Sequence, residues 1–537
     1  MRVVDEFDYI VVGGGSAGCV VAARLSEDPS VSVCLLEAGG EGRDVLIRAP
    51  LGFAAAMPRG INSWNYETVP QAGFGGRRGF QPRGKALGGS STINAMIYAR
   101  GHRSDFDHWA ELGNPGWGYD DVLPFFLRSE SNAIHRDSPY HGTDGPLHIT
   151  DLRSPSPLND VFLQACQDYG IPFNADVNGA EHHGCYHVQV TQKDGERHSL
   201  AAAFIHPNLD RPNLEVRTGV HVTGLRFEAR RAVAVDFVQG RRPGSVRARR
   251  EIVMSAGAFG TPQILMASGV GPGQHLQDLG IRPVLDAPGV GQNLQDHISA
   301  LLIYRSLVTD HTVGISPIGV ARLLAGMWQW RRHRRGVITS CAAESGVYYR
   351  TSPDVEVSDM EMELIVGIGD DHGRKLHLGH GYSAHLLLAR PKSTGEVRLF
   401  ADSSFMDLAT GTAAGGGLRN ADNLAIDAVG NIYIVEDRNG GSDDDIWLAV
   451  DLNHDGDLLD EGEGLARWAS NGAAGSENTG LYFDRFNPNV AYVNVQHPAS
   501  GVDRTIMITA AVPEPETYAM MLAGLGLLGV AARRRKA

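Results

Sequence analysis

Cysteine is scarce in this chain, which has five cysteines among 537 residues. Their number is odd, and their spacing fits neither a disulfide framework nor a zinc site. Cys19 and Cys34 fall in apolar segments, so we expect buried thiols. A basic surface is also lacking, because the formal net charge is −14, and this argues against a nucleic-acid-binding protein. Most of that charge lies in residues 422–467, which hold thirteen acidic residues and two basic ones.

No apolar stretch precedes the first predicted strand at the N-terminus, which reads MRVVDEFDYIVV. This pattern predicts no cleaved signal peptide, and therefore a cytoplasmic location. The C-terminus differs, because an uncharged apolar run begins at Tyr518, ends at Ala532 and is followed by a basic cluster. The run is short for a transmembrane helix. Two interpretations stay open, membrane association through this run or a buried terminal helix.

The most informative motif is DYIVVGGGSAG, from Asp8 to Gly18. An apolar strand enters a turn whose glycines have the GxGxxG spacing, and a helix of small residues follows as far as Leu25. A second apolar strand then ends at Glu37. This order predicts a βαβ unit. Its glycines let a pyrophosphate approach the helix N-terminus, where unpaired N–H groups and the helix dipole favour anions.

Glu37 lies 19 residues beyond Gly18, close to the ~20 expected for the acid that binds an adenosine ribose. A carboxylate at this place favours NAD or FAD over NADP. A tightly packed turn without a ligand is one alternative. The G-x-S-x-G nucleophile elbow of hydrolases is another, since residues 14–18 also fit it. That elbow usually follows several strands, however, and it leaves Glu37 without a role.

Further motifs follow in the chain. Residues 82–98 hold the pair Gly88 and Gly89, which lets the backbone approach a planar ligand, and residues 257–271 follow an apolar strand. Together with residues 98–109, 114–124 and GQNLQDH at 291–297, these segments resemble the glucose–methanol–choline (GMC) oxidoreductases. The resemblance covers residues 5 to about 400. Choline-dehydrogenase-like members are the nearest in character.

The resemblance implies an α/β fold in which an FAD/NAD(P)-binding Rossmann-like domain adjoins a substrate domain that contains an antiparallel sheet. A short β-rich segment follows at the C-terminus. The expected organisation is a discontinuous FAD-binding domain over residues 1–310, a truncated substrate-domain segment over 311–400, a linker over 401–417, a β-propeller-like fragment over 418–510 and a sorting or membrane tail over 511–537.

By match to family positions, the resemblance also implies the residues that contact FAD. They are Gly13, Gly15, Ser16, Ala17 and Gly18 at the pyrophosphate, Glu37 and Ala38 at the ribose, Trp64, Gly89, Asn94, Ala95, Met96 and Ile97 on the flavin side, and Val222 at the adenine. Some relatives tether FAD to a histidine just before the asparagine of the second motif. Here Ile93 takes that place, so we expect FAD to be bound non-covalently.

The implied chemistry is oxidation of a small-molecule alcohol, in which a base takes the hydroxyl proton and hydride passes to flavin N5. The family's base is a histidine in the last part of the chain. Beyond residue 400 this sequence has only His454 and His497, and neither lies in a motif like the family's. His102, His297 and His372 are interpreted as structural or solvated, so the catalytic base stays unidentified.

Residues 418–510 have the alternation of short strands and resemble the terminal part of PhoX-type phosphatases, which are β-propellers. DLNHDGD at 451–457 resembles the first half of a calcium loop, with Asp451, Asn453, Asp455 and Asp457 as oxygen ligands. A solvated acidic turn is the alternative, because Gly462 occupies the place of the usual bidentate acid.

The tail begins with VPEPE at 512–516 and resembles bacterial envelope-sorting tags of the PEP-CTERM type. These features together predict a chimera joined near residue 400. The leading hypothesis is an FAD-dependent alcohol oxidoreductase. The alternative is a non-catalytic envelope-associated protein with a calcium-binding, β-rich tail.

Overall fold

The computed structural model describes residues 5–71, 76–307, 309–375 and 377–391, positions 395 and 397–398, and the strands between residues 421 and 509. The chain divides into two units, Met1–Tyr66 with Pro82–Ala401 and Glu67–Gln81 with Asp402–Ala537. The strands of the first 400 residues are β1 (Asp5–Val12), β2 (Val33–Leu36), β3 (Tyr66–Glu67), β4 (Phe80–Gln81), β5 (Glu130–Asn132), β6 (Leu147–Asp151), β7 (Gly184–His187), β8 (Gln189–Val190), β9 (Gln192–Lys193), β10 (Glu196–Arg197), β11 (Leu214–Arg217), β12 (Val220–Glu228), β13 (Arg231–Gln239), β14 (Arg242–Met254), β15 (Val270–Gly271), β16 (Leu285–Asp286), β17 (Ser299–Ser306), β18 (Ala343–Tyr349), β19 (Met360–Ile365) and β20 (His380–Leu388). The helices are α1 (Ser16–Leu25), α2 (Val45–Arg48), α3 (Phe53–Ala56), α4 (Arg103–Glu111), α5 (Tyr119–Ser129), α6 (Leu158–Asp168), α7 (Gly257–Ala267), α8 (Gly273–Asp278) and α9 (Pro317–His333).

The first sheet has six strands in the order β11-β2-β1-β14-β13-β12. The pairs β11–β2, β2–β1 and β1–β14 are parallel, whereas β13 pairs antiparallel with both β14 and β12. Because β1 and β14 are distant in sequence, this sheet is assembled from separate parts of the chain. The βαβ unit predicted from the glycine motif is present as β1, α1 and β2.

Alternating apolar residues bury both faces of this sheet, as the period of two along a strand requires. Val11 and Leu35 pack on one side with Cys19 and Ala22 of α1. Ile10, Val12, Cys34 and Leu36 pack on the other side. The helix face toward the sheet consists of small residues, which lets the α1 backbone approach the strands closely.

The second sheet is antiparallel, with the order β17-β20-β19-β18-β7. One of its faces is covered by α6, whose Asn159 side chain accepts a hydrogen bond from the hydroxyl of Ser345 in β18 at 2.8 Å. The α/β fold with an additional antiparallel sheet is therefore confirmed. All five cysteines are free and buried, as expected. Burial raises the pKa of both Cys19 and Cys34 to about 12, which makes these thiols unreactive.

The last part of the chain is rich in strands, as predicted. They are β21 (Ala421–Ile426), β22 (Ile432–Glu436), β23 (Asp445–Val450), β24 (Gly464–Ser470), β25 (Glu477–Phe483), β26 (Val490–Gln496) and β27 (Arg504–Thr509). The first four form one antiparallel sheet in sequence order and the last three form another. Within the first of these sheets β21 pairs antiparallel with β22. The calcium-loop residues and the tail beyond residue 510 lie outside the described residues.

Candidate functional site

The glycine turn after β1 lies at the carboxyl end of the first sheet. The backbone N–H of Gly13 donates to the carbonyl of Leu36 at 2.9 Å, and Gly13 has a φ of 97°, which favours glycine. A Cβ on Gly13 would lie 2.6 Å from the carbonyl oxygen of Ser255, at the start of the segment that leads into α7. A Cβ on Gly18 would overlap the carbonyl of Gly13. These glycines therefore allow close contact between β1, α1 and the segment that follows β14.

The N-terminus of α1 is open to a ligand. Its N-cap residue is Gly15, no side chain caps it, and no acidic residue lies in its first turn. Ser16 and Ala17 are exposed. A Cβ on Gly15 would have its nearest neighbour at 3.8 Å, so the turn is not blocked on that side. A helix start with free N–H groups favours anions, and a diphosphate is one such anion.

The second glycine-rich segment packs directly on this turn. The N–H of Gly88 donates to the carbonyl of Gly14 at 2.7 Å. Gly89 has a φ of 55°, and a Cβ on it would lie 2.6 Å from the Cα of Gly15. The structure thus brings Gly89 beside the predicted pyrophosphate residues, although 74 positions separate Gly89 from Gly15 in the sequence.

Glu37 directly follows β2 and is 5% exposed. One carboxylate oxygen accepts from the N–H of Gly14 at 2.9 Å, and the other accepts from the N–H of Gly39 at 2.7 Å. Burial raises the pKa of Glu37, while these hydrogen bonds act in the opposite direction. Ala38, the next predicted ribose contact, is half-buried. Glu37, the residue predicted to contact the ribose, therefore fixes the shape of the glycine turn.

Residues 94–97 leave the glycine segment and reach the antiparallel sheet region. Asn94 is exposed and Met96 is fully buried, with a strained φ of 64°. Met96 packs with Tyr186 and Tyr348 of the second sheet. The predicted flavin-side segment therefore connects the nucleotide cleft with one face of that sheet. Ala95 and Ile97 are half-buried on either side of Met96.

Arg197 supports this segment and was missed by the sequence analysis. Its guanidinium donates to the side-chain oxygen of Asn94 at 2.8 Å and to the carbonyls of Ile47, Ser91 and Pro50 at 3.1–3.4 Å. The residue is 4% exposed, and burial lowers its pKa to about 9. Nothing in the local sequence marks this arginine, because its partners are backbone carbonyls far away in the chain.

Trp64 contacts β12, the strand that contains Val222. Lys85 lies over the Trp64 ring at 4.2 Å, and His221 packs against the same ring at 5.7 Å between centroids. Val222, which follows His221 in β12, is buried among the apolar residues of the first sheet. The predicted flavin-side tryptophan and the predicted adenine contact therefore lie on neighbouring elements.

One face of the second sheet carries polar side chains that the sequence analysis also missed. We call Tyr186, Tyr348, Glu361, Glu363 and His385 the acidic sheet face. Register places Tyr186 opposite Gly346, Gly346 opposite Glu363, and Glu363 opposite His385. Opposed residues share a face, so these side chains are neighbours. The alternation MEMEL at 360–364 was the available signal, since it places two carboxyls on one side of a strand.

Burial controls the ionisation of this face. Burial, with Glu361 nearby, raises the pKa of Glu363 to about 7. Burial, with His372 nearby, lowers the pKa of His385, so its imidazole is neutral at neutral pH. Within the described part of the chain, Nε2 of His385 is buried without a hydrogen-bond partner. A neutral imidazole with a free nitrogen is able to accept a proton.

The other histidines behave as expected. His102 caps α4, because its side chain accepts from the N–H of Ser104. His297 and His372 are both exposed. Among the described residues there is no cluster of three or more potential metal ligands. The proposed calcium ligands at 451–457 lie outside the described residues, so that prediction is not tested.

Comparison with known families gives two matches. A model described as GMC oxidoreductase matches residues 7–299, and a model described as PEP-CTERM protein-sorting motif matches residues 511–536. The chain is 43% identical over 395 residues to alcohol dehydrogenase (acceptor) of Pseudomonas putida, covering 73% of this chain and 71% of that protein. It is 36% identical over 405 residues to mitochondrial choline dehydrogenase of Mus musculus, covering 74% and 67%.

Solved structures are similar over the same length. A pyridoxine 4-oxidase from Mesorbium loti superposes with a TM-score of 0.63 at 32% identity, covering 73% of each chain. A formate oxidase of Aspergillus oryzae RIB40, from a study of FAD modification, superposes with a TM-score of 0.65 at 26% identity, covering 74% of this chain and 75% of that one.

Proposed function

The chain belongs to the glucose–methanol–choline (GMC) oxidoreductase family, and we propose that its first 400 residues bind FAD in the glycine cleft and oxidise a small-molecule alcohol. The relatives are alcohol and choline dehydrogenases, so the protein is an FAD-dependent oxidoreductase acting on CH–OH groups. The resemblance noted in the glycine-rich segments is thereby confirmed.

The cleft fits a dinucleotide. The observation that carries this proposal is the close approach of Gly89 to Gly15 beside an uncapped, exposed helix start. We propose Gly13, Gly15, Ser16, Ala17 and Gly18 as the residues that hold the diphosphate. We place the ribose at Glu37 and Ala38 and the adenine at Val222. Trp64, Gly89 and residues 94–97 then face the flavin.

The flavin is proposed to be non-covalent. Ile93 is 4% exposed and offers no nucleophile at the place where some relatives carry a histidine. The cofactor supplies the redox step, since it accepts the hydride that leaves the carbinol carbon. The protein orients the alcohol, excludes water and takes the hydroxyl proton.

We propose His385 as the group that takes this proton. It lies on the acidic sheet face, which adjoins Met96 of the flavin-side segment through Tyr186 and Tyr348. Its imidazole is neutral at neutral pH and has a free, buried nitrogen. In the proposed oxidation His385 would take the O–H proton of the alcohol, and bound FAD would supply the acceptor for the hydride that the carbinol carbon loses. Glu363 lies opposite His385 and is suited to stabilise the resulting imidazolium.

Anaerobic absorbance spectroscopy tests the function. Purified full-length protein reconstituted with FAD is expected to show flavin bands that bleach when a series of primary alcohols is added. His385→Asn should keep the bands but slow bleaching by about 10²-fold or more, as loss of a general base does. Glu111→Asn serves as an exposed control and should bleach like the parent. Flavin that binds but never bleaches with any alcohol would refute the proposed reaction.

The sorting motif at 511–536 favours a second function for the terminal part of the chain. We propose that this part directs the protein to the bacterial envelope and that Asp451, Asn453, Asp455 and Asp457 bind calcium. Membrane association through the run from Tyr518 to Ala532 belongs to the same proposal, and a cytoplasmic location is its alternative. Limited proteolysis of the full chain tests the calcium site. Calcium should protect residues 418–470, and Asp455→Asn with Asp457→Asn should remove that protection.

A further inference from the structure

Helix α9 lies on the surface of the first unit with one face turned outward. Its inner side is fixed by Trp330, which is 7% exposed and donates from its indole N–H to the carbonyl of Gly195 at 2.8 Å. Gly326, one turn earlier, is also buried, and a Cβ there would lie 2.5 Å from a methyl group of Val337. These contacts hold the helix against the first unit, and the side opposite Gly326 and Trp330 points away from the core.

That outward side is apolar. Ile318, Val320, Leu324, Met327 and Trp328, which we call the α9 face, are each 50–63% exposed. Ile315 immediately before the helix and Leu378, which is bridged to it, extend this apolar surface and are 41% and 73% exposed. Soluble proteins seldom expose large apolar residues as a contiguous group, and such a group marks an interaction surface.

The charge beside this face identifies the partner. Residues 311–343 contain five arginines, at 322, 331, 332, 334 and 335, and no acidic residue, in a chain whose net charge is −14. Arg331, Arg332 and Arg335 are exposed at the C-terminal end of α9 and form no ion pair among the described residues. A second copy of the chain that packed through the same face would bring another positively charged surface. An anionic lipid surface offers both the opposite charge and an apolar layer.

We propose that the α9 face lies in the headgroup region of an anionic membrane, with Arg331 and Arg332 binding lipid phosphates. An amphipathic helix with Trp and Leu on one side and arginines beside it binds membranes in this way, parallel to the surface. Within the described residues no helix is long and apolar enough to cross a bilayer, and α9 has 17 residues. The proposal is independent of the flavin chemistry and of the sorting motif.

Vesicle co-sedimentation of the full chain tests this. The parent should bind vesicles of phosphatidylcholine with phosphatidylglycerol, and bind vesicles of phosphatidylcholine alone much more weakly. The double substitution Leu324→Glu, Trp328→Glu should weaken binding at least about tenfold, and Arg331→Glu, Arg332→Glu should do so by a similar factor that shrinks at high salt. Trp117→Glu, Phe125→Glu changes two residues that are similarly exposed, at 53% and 65%, in the α4–α5 region, and it should bind like the parent.

The residues of the sorting tail are present in every variant. Equal vesicle binding by the parent and Leu324→Glu, Trp328→Glu would therefore assign binding to another part of the chain and overturn the proposal. A dimeric parent that becomes monomeric in this variant, without vesicle binding by either, would show instead that the α9 face contacts a second copy, and would also overturn it. Unchanged flavin content and melting temperature confirm that each variant is folded.

Discussion

The carboxylate of Glu37 accepts a hydrogen bond from the backbone N–H of Gly14 at 2.9 Å, which links the end of β2 to the turn after β1. The same carboxylate accepts from the N–H of Gly39 at 2.7 Å. One side chain therefore sets the shape of the loop on both sides of the proposed ribose position. A residue expected to contact the cofactor also organises the backbone of the cleft.

Glu37→Gln is expected to weaken FAD binding about tenfold to a hundredfold, because one of the two backbone donors loses its charged acceptor, worth about 1.5–3 kcal/mol. The melting temperature should fall by a few degrees. Fluorescence titration with FAD and thermal unfolding measure the two effects. Glu41→Gln, at an exposed position nearby, is the matched control. Parent-like affinity in Glu37→Gln would contradict the assignment.

Gly89→Ala is expected to displace the turn at Gly15, since the added Cβ would lie 2.6 Å from the Gly15 Cα. Flavin binding should fall by more than tenfold. Gly113→Ala is the control, because Gly113 also has a positive φ, of 94°, but no neighbour within 4 Å of the added atom. Both variants carry backbone strain of about 1 kcal/mol, so equal flavin affinity in the two would refute close packing as the cause.

Glu363→Gln is expected to change the pH dependence of stability. Burial raises the pKa of Glu363 from 4.5 to about 7, so the protonated carboxyl is favoured in the folded protein. The protonated carboxyl contributes at most about 3 kcal/mol to the free energy of unfolding. This contribution is fully present below about pH 4.5 and is lost as the pH rises through about 7.

The parent should therefore lose stability between about pH 5 and pH 8, and Glu363→Gln should lose less over the same range. Urea unfolding at several pH values measures the difference. Glu111→Gln at an exposed position should follow the parent. Parallel pH profiles for the parent and Glu363→Gln would show that Glu363 is not held in this environment.

Arg197→Met is expected to lower the free energy of unfolding by about 3 kcal/mol or more, because several buried acceptors lose their donor. Arg197→Lys keeps the charge but cannot reach the carbonyls of Ile47, Ser91 and Pro50 together, so it should recover only part of the loss. Urea unfolding and FAD affinity measure both variants. Full stability in Arg197→Met would mean that Asn94 is oriented by other contacts.

The flavin is expected to leave the protein on acid precipitation. Ile93 has no group able to bond to the cofactor, so the yellow colour should appear in the supernatant after centrifugation. Absorbance of both fractions measures this. A yellow pellet would show a covalent link through another residue.

The βαβ unit and its glycine turn could be predicted from the sequence because their determinants are local. Gly13, Gly15 and Gly18 act through a spacing within one turn, and Glu37 follows at a fixed distance along the βαβ unit. The approach of Gly89 to Gly15 was not predicted and is seen only in the structure, since no local rule joins two loops so far apart.

The second sheet shows where sequence reasoning failed. Glu363 and His385 become neighbours only through the register of β19 and β20, and the histidine was not considered. Arg197 was missed because its partners are mainly backbone carbonyls, which leave no trace in residue type. The arginines of α9 can be read directly from the sequence. The outward direction of the apolar face cannot, because it depends on where Trp330 and Gly326 pack.

The pairing of β1 with β14 has a consequence for biosynthesis. Ser255, whose carbonyl packs against Gly13, leaves the ribosome more than two hundred residues after that glycine. Until then, a nascent chain that contains only β1, α1 and β2 has an incomplete nucleotide-binding cleft and an unpaired edge of β1. Cofactor loading must therefore be a late event of maturation, and translation stalled before β14 should yield chains that aggregate and stay colourless.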